Sequence, residues 1–297
     1  MTALKATGET IPEGVITSIR NTRVALKGPI TTPVGEGFRS VNVTLRQEFD
    51  LYANVRPARA YEGVVTAWPG VDMVIVRENT EGMYAGQELY AGTDRSSAVL
   101  VAFNTRKAML RISRYAFDYA RKHGRKKVMA IHKANILKKF SGIFLHSFRE
   151  VATEYPEIIA EDRIIDACCM QMVRKPQDFD VIVTTNLFGD ILSDLAAGLV
   201  GGLGVAPGGN YGETVAMFEA VHGSAPDIAG KNLANPMAMM LAGSMMLHHL
   251  NESAAALKIE KAIQKLLREG KLLTPDLSPG SKYGTTDMTK ALVDLVA

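Results

Sequence analysis

Only two cysteines occur in 297 residues, Cys168 and Cys169, and they are adjacent. Neighbours in sequence cannot form an ordinary structural disulfide and lack the spacing of a zinc site, so the fold reads as reduced and intracellular. An excess of one charge sign is also missing: 34 basic and 31 acidic residues leave a net charge of +3, too balanced to argue for a nucleic-acid partner. The opening residues Met1 to Gly8 lack the apolar stretch of a secretory signal. The Met-rich run from Pro236 to Leu250 is too short to cross a bilayer and ends in His248 and His249, so a buried helix and no membrane partner are expected. Neither a G-x-G-x-x-G turn after a strand nor a G-x-x-x-x-G-K-[ST] loop is present, so any dinucleotide is held without the Rossmann fingerprint. There is no internal repeat, low-complexity tract or Pro/Ser-rich linker.

With 47% apolar residues, the chain can bury a large core in two domains or one large one. Short β-branched runs, at Val24 to Lys27, Asp72 to Arg77, Lys127 to His132, Ile158 to Ala160 and Val181 to Thr185, alternate with helical patterns. Such spacing predicts an α/β fold with at least some parallel strand pairs. From Thr105 to His123, Met109, Ile112, Ala116, Phe117 and Ala120 form one apolar stripe, as in a surface helix. The basic run Lys122 to Lys127 is then the C-terminal turn of that helix, ended by Gly124, and no aromatic residue is interleaved with it to stack on nucleic acid. Ser141 to Glu154 predicts a second amphipathic helix, and Asn186 onward a third that runs into the glycine cluster Gly198 to Gly204.

In Asn186-Leu-Phe-Gly-Asp190-Ile-Leu-Ser-Asp194, two carboxylates four residues apart share one helix face and repel. A cation between them answers that repulsion, and the all-oxygen donor set points to Mg2+ or Mn2+ rather than zinc. An alternative reading makes Asp190, after Gly189, the cap of a helix N-terminus. Ser40, Asn42 and Arg46 would share a face if a helix begins there. With Arg56 and with Arg77 at a strand end they could bind a small polycarboxylate through guanidinium forks. Tyr84 and Lys133 lie just after strands, where a buried cationic site that lowers their pKa values would make them proton carriers. Glu219-Ala-Val-His222-Gly-Ser-Ala-Pro-Asp227, with Asn235-Pro236 behind it, reads as a loop able to wrap a ligand.

Five segments occur in order: Lys27-Gly-Pro-x-Thr-Thr-Pro, Arg77-Glu-Asn-Thr-Glu-x-x-Tyr84, His132-Lys-Ala-Asn-Ile136, Asn186-x-x-Gly-Asp-Ile-Leu-Ser-Asp194 with Gly201-Gly-Leu-Gly204, and His222-Gly-Ser-Ala-Pro-Asp227. Together they resemble the metal-dependent β-decarboxylating dehydrogenases of isocitrate and isopropylmalate across nearly the whole chain. The resemblance implies a two-domain α/β fold with a mixed, partly parallel sheet. Residues 1–51 and 201–297 would form a larger nucleotide-binding domain, and 52–200 a smaller one with the dimer interface and the metal and substrate residues. It implies that Asp190 and Asp194 hold Mg2+ or Mn2+ with Asp166 of the other subunit. Ser40, Asn42, Arg46, Arg56, Arg77 and Asn135 would bind the substrate, while Tyr84 and the partner's Lys133, with Asp166, would serve catalysis. Thr31, His222, Gly223, Ser224, Ala225, Pro226, Asp227, Ile228 and Asn235 would bind the cofactor. The Gly-Asp-Gly-Ile-Gly-Pro-Glu turn with which family members open has no match here, so the first domain reads as N-terminally incomplete.

Within that family, the leucine-rich helix of isopropylmalate enzymes is replaced by Arg39-Ser-Val-Asn-Val, whose Ser40 and Asn42 suit a third carboxylate. Asp227 and Ile228 stand where NADP-dependent relatives commonly carry Lys and Tyr, and an aspartate would repel a 2'-phosphate while accepting from ribose hydroxyls. The expectation is therefore an NAD-dependent isocitrate dehydrogenase of the tricarboxylic acid cycle, acting on a small tricarboxylate. It would be a homodimer or a subunit of a hetero-oligomer, in the cytoplasm, or in the mitochondrial matrix if eukaryotic. The alternatives are a regulatory subunit or truncated inactive paralogue, or an isopropylmalate, homoisocitrate or tartrate dehydrogenase.

Overall fold

The β-branched runs form strands, with helices and further strands between them. The computed structural model of the protein describes residues 9–30 and 40–297. In chain order the elements are α1 (Glu13–Thr22), β1 (Val24–Lys27), α2 (Val41–Glu48), β2 (Ala53–Arg59), β3 (Asp72–Glu78), β4 (Gly82–Ala91), β5 (Ser97–Phe103), α3 (Arg106–Lys122), β6 (Lys127–His132) and α4 (Gly142–Ala152). There follow β7 (Ile159–Ile164), α5 (Ile165–Arg174), β8 (Val181–Thr184), α6 (Asn186–Leu199), β9 (Pro207–Tyr211), β10 (Ala216–Ala220), α7 (Met237–His249), α8 (Ser253–Glu269) and α9 (Thr285–Val296).

The chain falls into two compact units. One holds the described residues up to Leu51 together with Arg59–Gly70 and Ala197–Ala297; the other holds Tyr52–Ala58 and Val71–Ala196. The segment 59–70 thus packs with the first unit, although its position in the chain placed it in the second. Thr66 donates to the Leu199 carbonyl at 2.5 Å. Gly63, at φ +94°, lies directly against the Leu267 backbone, where any Cβ would collide.

In the second unit the strands run in the order β2-β3-β8-β6-β7, with β3·β8, β8·β6 and β6·β7 parallel. Val74 to Val76, Val128 to Ile131 and Val181 to Val183 are buried, the continuous apolar runs of strands covered on both faces. Helices α3 and α4 cover the sheet, and Phe117 of α3 stacks on Phe148 of α4 at 5.3 Å and on Tyr155 at 4.9 Å. Strands β4 and β5 form a separate antiparallel hairpin. Because β3, β6 and β8 are parallel and in register, Arg77, Ile131 and Thr184 end together at the carboxyl edge, where open α/β sheets place their ligands.

In the first unit the order is β1-β10-β9, parallel between β1 and β10 and antiparallel between β10 and β9. Ile16 and Ile19 of α1, Val41 and Leu45 of α2, Leu51 and Met217 share one apolar cluster, while α7 sets Ala242 against Phe218. The Met-rich run is therefore a packed helix, and among the described residues no helix is long and apolar enough to cross a membrane. Burial pushes the Cys168 thiol up to about 12, leaving it inert as a nucleophile at neutral pH.

Candidate active site

Helix α6 starts at Asn186, immediately beyond β8, so Asp190 stands in its second turn and does not cap it. Asn186, Gly189, Asp190 and Ser193 fall at i, i+3, i+4 and i+7 and form a polar stripe. Asp190 accepts from three side chains. Its Oδ1 takes Nη1 of Arg77 at 2.5 Å and Nη1 of Arg56 at 3.2 Å, and its Oδ2 takes the Tyr84 hydroxyl. Arg56 also lies 3.9 Å from Asp194. The positive charge that the like-charged pair requires is thus supplied in this chain by two buried guanidiniums.

Neutral acceptors fix those guanidiniums. The Asn186 carbonyl oxygen accepts from Arg77 Nε at 3.2 Å and Nη2 at 2.8 Å, and the Asn186 amide donates to the Glu81 carbonyl at 3.1 Å. Arg56 donates from Nε to Asn54 at 2.9 Å and from Nη1 to Ser193 at 2.6 Å. Asn54, Asn186 and Ser193 were not singled out from the sequence as site residues. Asn186 and Ser193 were legible in principle, since they fall on the same helical stripe as Asp190. The stem of Arg77 passes over Gly189, where a Cβ would come within 2.6 Å of the Arg77 Cβ, so only glycine lets the arginine through. Glu78 closes the turn that returns Tyr84 to the site, accepting from the Thr80 N–H at 2.8 Å and the Glu81 N–H at 2.9 Å.

The electrostatics correct one expectation. Burial, followed by the hydrogen bond to Asp190 and the charge of that carboxylate, raises the Tyr84 pKa, and Arg77 beneath the ring at 5.1 Å does not reverse it. Tyr84 is therefore a neutral phenol at physiological pH, a donor rather than a ready base. Asp194 is raised as well, chiefly by partial burial, with Asp190 adding to the effect against Arg56 and Arg77.

Lys133 and Asp166 form their own pair, Nζ to Oδ1 at 2.6 Å, and the lysine holds the Asp166 carboxyl below its usual range. Among the described residues no three His, Cys, Asp or Glu gather as a metal site. The oxygen donors Asp190 and Asp194 fit a hard divalent cation in kind, and this chain alone supplies only part of a coordination sphere. Asn135 lies exposed in the loop after β6.

The first unit holds Ser40, Asn42 and Arg46. Ser40 precedes α2, and Asn42 and Arg46 stand one turn apart on it. Arg46 is buried and donates to Glu219 at 3.1 Å. Glu219 lies on β10 and not in the loop to which the sequence reading assigned it. The loop proper starts after it. Of its residues, Gly223, Ala225, Pro226 and Asp227 are exposed, and His222, Ser224 and Ile228 are partly so. Asn235 is engaged at both ends of its amide, donating to Asp276 at 3.0 Å and accepting from the Met237 N–H at 2.9 Å. Thr31 lies outside the described residues.

A family model for isocitrate/isopropylmalate dehydrogenase matches residues 1–292. The mitochondrial catalytic subunit 5 of NAD isocitrate dehydrogenase from Arabidopsis thaliana is 54% identical over 280 residues, 93% of this chain and 73% of that protein. The 3-isopropylmalate dehydrogenase of Methanothermobacter thermautotrophicus is 53% identical over 285 residues, covering 96% and 84%. The crystal structure of isocitrate dehydrogenase from Methylococcus capsulatus superposes with a TM-score of 0.98 at 57% identity, covering all of this chain and 88% of that one. With this fold, the site on α6 and these relatives, the chain belongs to the isocitrate/isopropylmalate dehydrogenase family.

Proposed function

We propose that this chain carries out the oxidative decarboxylation of isocitrate to 2-oxoglutarate and CO2, with NAD as hydride acceptor and Mg2+ or Mn2+ as the metal. The convergence of Arg56, Arg77 and Tyr84 on Asp190 carries this reading. Two buried cations, each oriented by neutral side chains, are matched by two carboxylates on α6, so a cation and a polycarboxylate can enter together at little cost in unbalanced charge. Asp190 and Asp194 would hold the metal, with Asp166 from a second copy in a homodimer or hetero-oligomer. When bound, the metal would supply Lewis acidity at the substrate's hydroxyl oxygen, and NAD would be the acceptor for the hydride.

The chain's own residues do the rest. Arg56 and Arg77 bind and orient carboxylates, and Ser40, Asn42, Arg46 and Asn135 are the further substrate contacts this reading proposes. Oxidation passes the hydroxyl proton to a base and the C–H hydride to NAD; the β-carboxylate then leaves as CO2, and the carbon it leaves takes up a proton. Tyr84, held protonated by its surroundings, would deliver that proton, and Lys133 of a second copy, paired there with Asp166, would replenish it.

Isocitrate is preferred over isopropylmalate because Ser40, before α2, and Asn42, on it, suit a third carboxylate where an isopropyl group would need an apolar face. NAD is preferred because Asp227 and Ile228 offer no cation to a 2'-phosphate. The setting fits the cytoplasm or the mitochondrial matrix. The test is a panel of isocitrate, 3-isopropylmalate, homoisocitrate and tartrate with Mn2+ and either NAD or NADP. Isocitrate with NAD should lead in kcat/KM by on the order of 100-fold. A lead for isopropylmalate would overturn the substrate assignment, and a folded chain inert on all four would support a regulatory or inactive subunit.

A further inference from the structure

We propose that Glu219 is a positioning residue that holds Arg46 and Lys27 for substrate binding. Side chains from three other elements converge on its carboxylate. The parallel register of β1 and β10 sets Lys27 opposite Glu219, and Lys27 Nζ reaches Oε2 at 2.8 Å. Arg46 of α2 donates to Oε1 at 3.1 Å, and Asn210 of β9 donates to the same oxygen at 2.9 Å. The side chains of Lys27, Arg46 and Glu219 are only 11%, 7% and 7% exposed.

A buried ion pair that serves only the fold is balanced, because a surplus charge in a low-dielectric site is costly. Among the described residues this cluster is not balanced: two cations meet one carboxylate. Arg46 spends only Nη2 on Glu219, and its Nε is buried with no hydrogen-bond partner among the described residues. The surplus charge and the unused edge of the guanidinium fit an anion brought by the ligand. Glu219 suppresses the repulsion between Lys27 and Arg46 and fixes the rotamer of the arginine, so that the free edge is ready before the ligand arrives. The inference rests on the reading of Arg46 as a substrate contact.

A double-mutant cycle tests it on the full chain, with KM for isocitrate and for NAD and kcat measured for Glu219→Gln, Arg46→Gln and the pair. Each single variant should raise KM for isocitrate about tenfold or more, with KM for NAD changed less than about twofold and the double variant no worse than Arg46→Gln alone. Multiplicative losses, or equal losses toward NAD, would make Glu219 a fold residue only and overturn the proposal. An unchanged isocitrate KM in Glu219→Gln beside a raised one in Arg46→Gln would overturn it while sparing the role of Arg46. An unchanged KM in Arg46→Gln would overturn that role and this proposal together. If Glu219→Gln does not fold, the same cycle is run with Glu219→Asp, where coupling supports the proposal and independence refutes it.

Discussion

At Asp190 two guanidiniums and a phenol meet one carboxylate, and the packing beneath them leaves no room for a methyl group. Gly189→Ala would improve the intrinsic helix propensity of α6, yet it forces the new Cβ against the stem of Arg77, which is 1% exposed and cannot step aside. The expected cost is about 1–3 kcal/mol of stability from overpacking, with a raised KM for substrate as Arg77 is displaced. Thermal unfolding and steady-state kinetics of that variant check both, and a more stable, fully active protein would contradict the account. Arg56, Arg77, Tyr84 and Asp190 were singled out from the sequence, whereas Asn54, Asn186 and Ser193, which orient the guanidiniums, were not. The protonation state of the site was not legible either: the sequence shows Tyr84 near arginines but not that burial and Asp190 outweigh them. Likewise, only the start of α6 at Asn186 shows that Asp190 lies too deep to be a cap.

Helices α3 and α4 separate two kinds of contact. Outside, Arg106, Arg114 and Arg121 pair with Glu150, Glu154 and Glu157, all substantially exposed. Inside, Phe117 stacks on Phe148 and Tyr155. Exposed pairs gain little in water and are screened by salt, whereas an emptied aromatic site leaves a cavity. Phe117→Ala should therefore cost about 3–5 kcal/mol. Arg114→Ala should shift the melting temperature only slightly, and less still at high salt; a larger loss from the arginine would invert this ranking. Elements with a clear period were readable in advance: the five apolar stripe positions of α3, Met109, Ile112, Ala116, Phe117 and Ala120, are all buried. Strand β9 was not, because Pro207-Gly-Gly-Asn-Tyr211 has the composition of a turn and becomes a strand through tertiary pairing such as that with β10. Missing β9 hid β10 and the strand position of Glu219.

For the whole molecule, acid tolerance depends in part on the Glu219 cluster. Burial would raise that carboxyl, but Arg46 and Lys27, with hydrogen bonds from Lys27 and Asn210, hold it down to about 2 against an ordinary value of 4.5. A depressed folded-state pKa means stability that is fully present above the unfolded value and is lost as pH falls from there through the folded one. Between about pH 5 and 2 the native protein should lose on the order of 3 kcal/mol from this group. Glu219→Gln, less stable near neutrality, should show a flatter profile in urea unfolding across that range. Identical slopes for both proteins would refute the assignment. The return of 59–70 to the first unit depends on contacts with Leu199 and Leu267 that lie far away in sequence. The central claim is that Asp190 anchors a metal-dependent site in a dehydrogenase of this family. The direct measurement is turnover of Asp190→Asn on isocitrate and NAD across a Mn2+ titration, with NAD binding followed in parallel. The account predicts a fall in kcat on the order of 100-fold or more, a weakened response to Mn2+ and unchanged NAD affinity; near-normal turnover at low metal would contradict it.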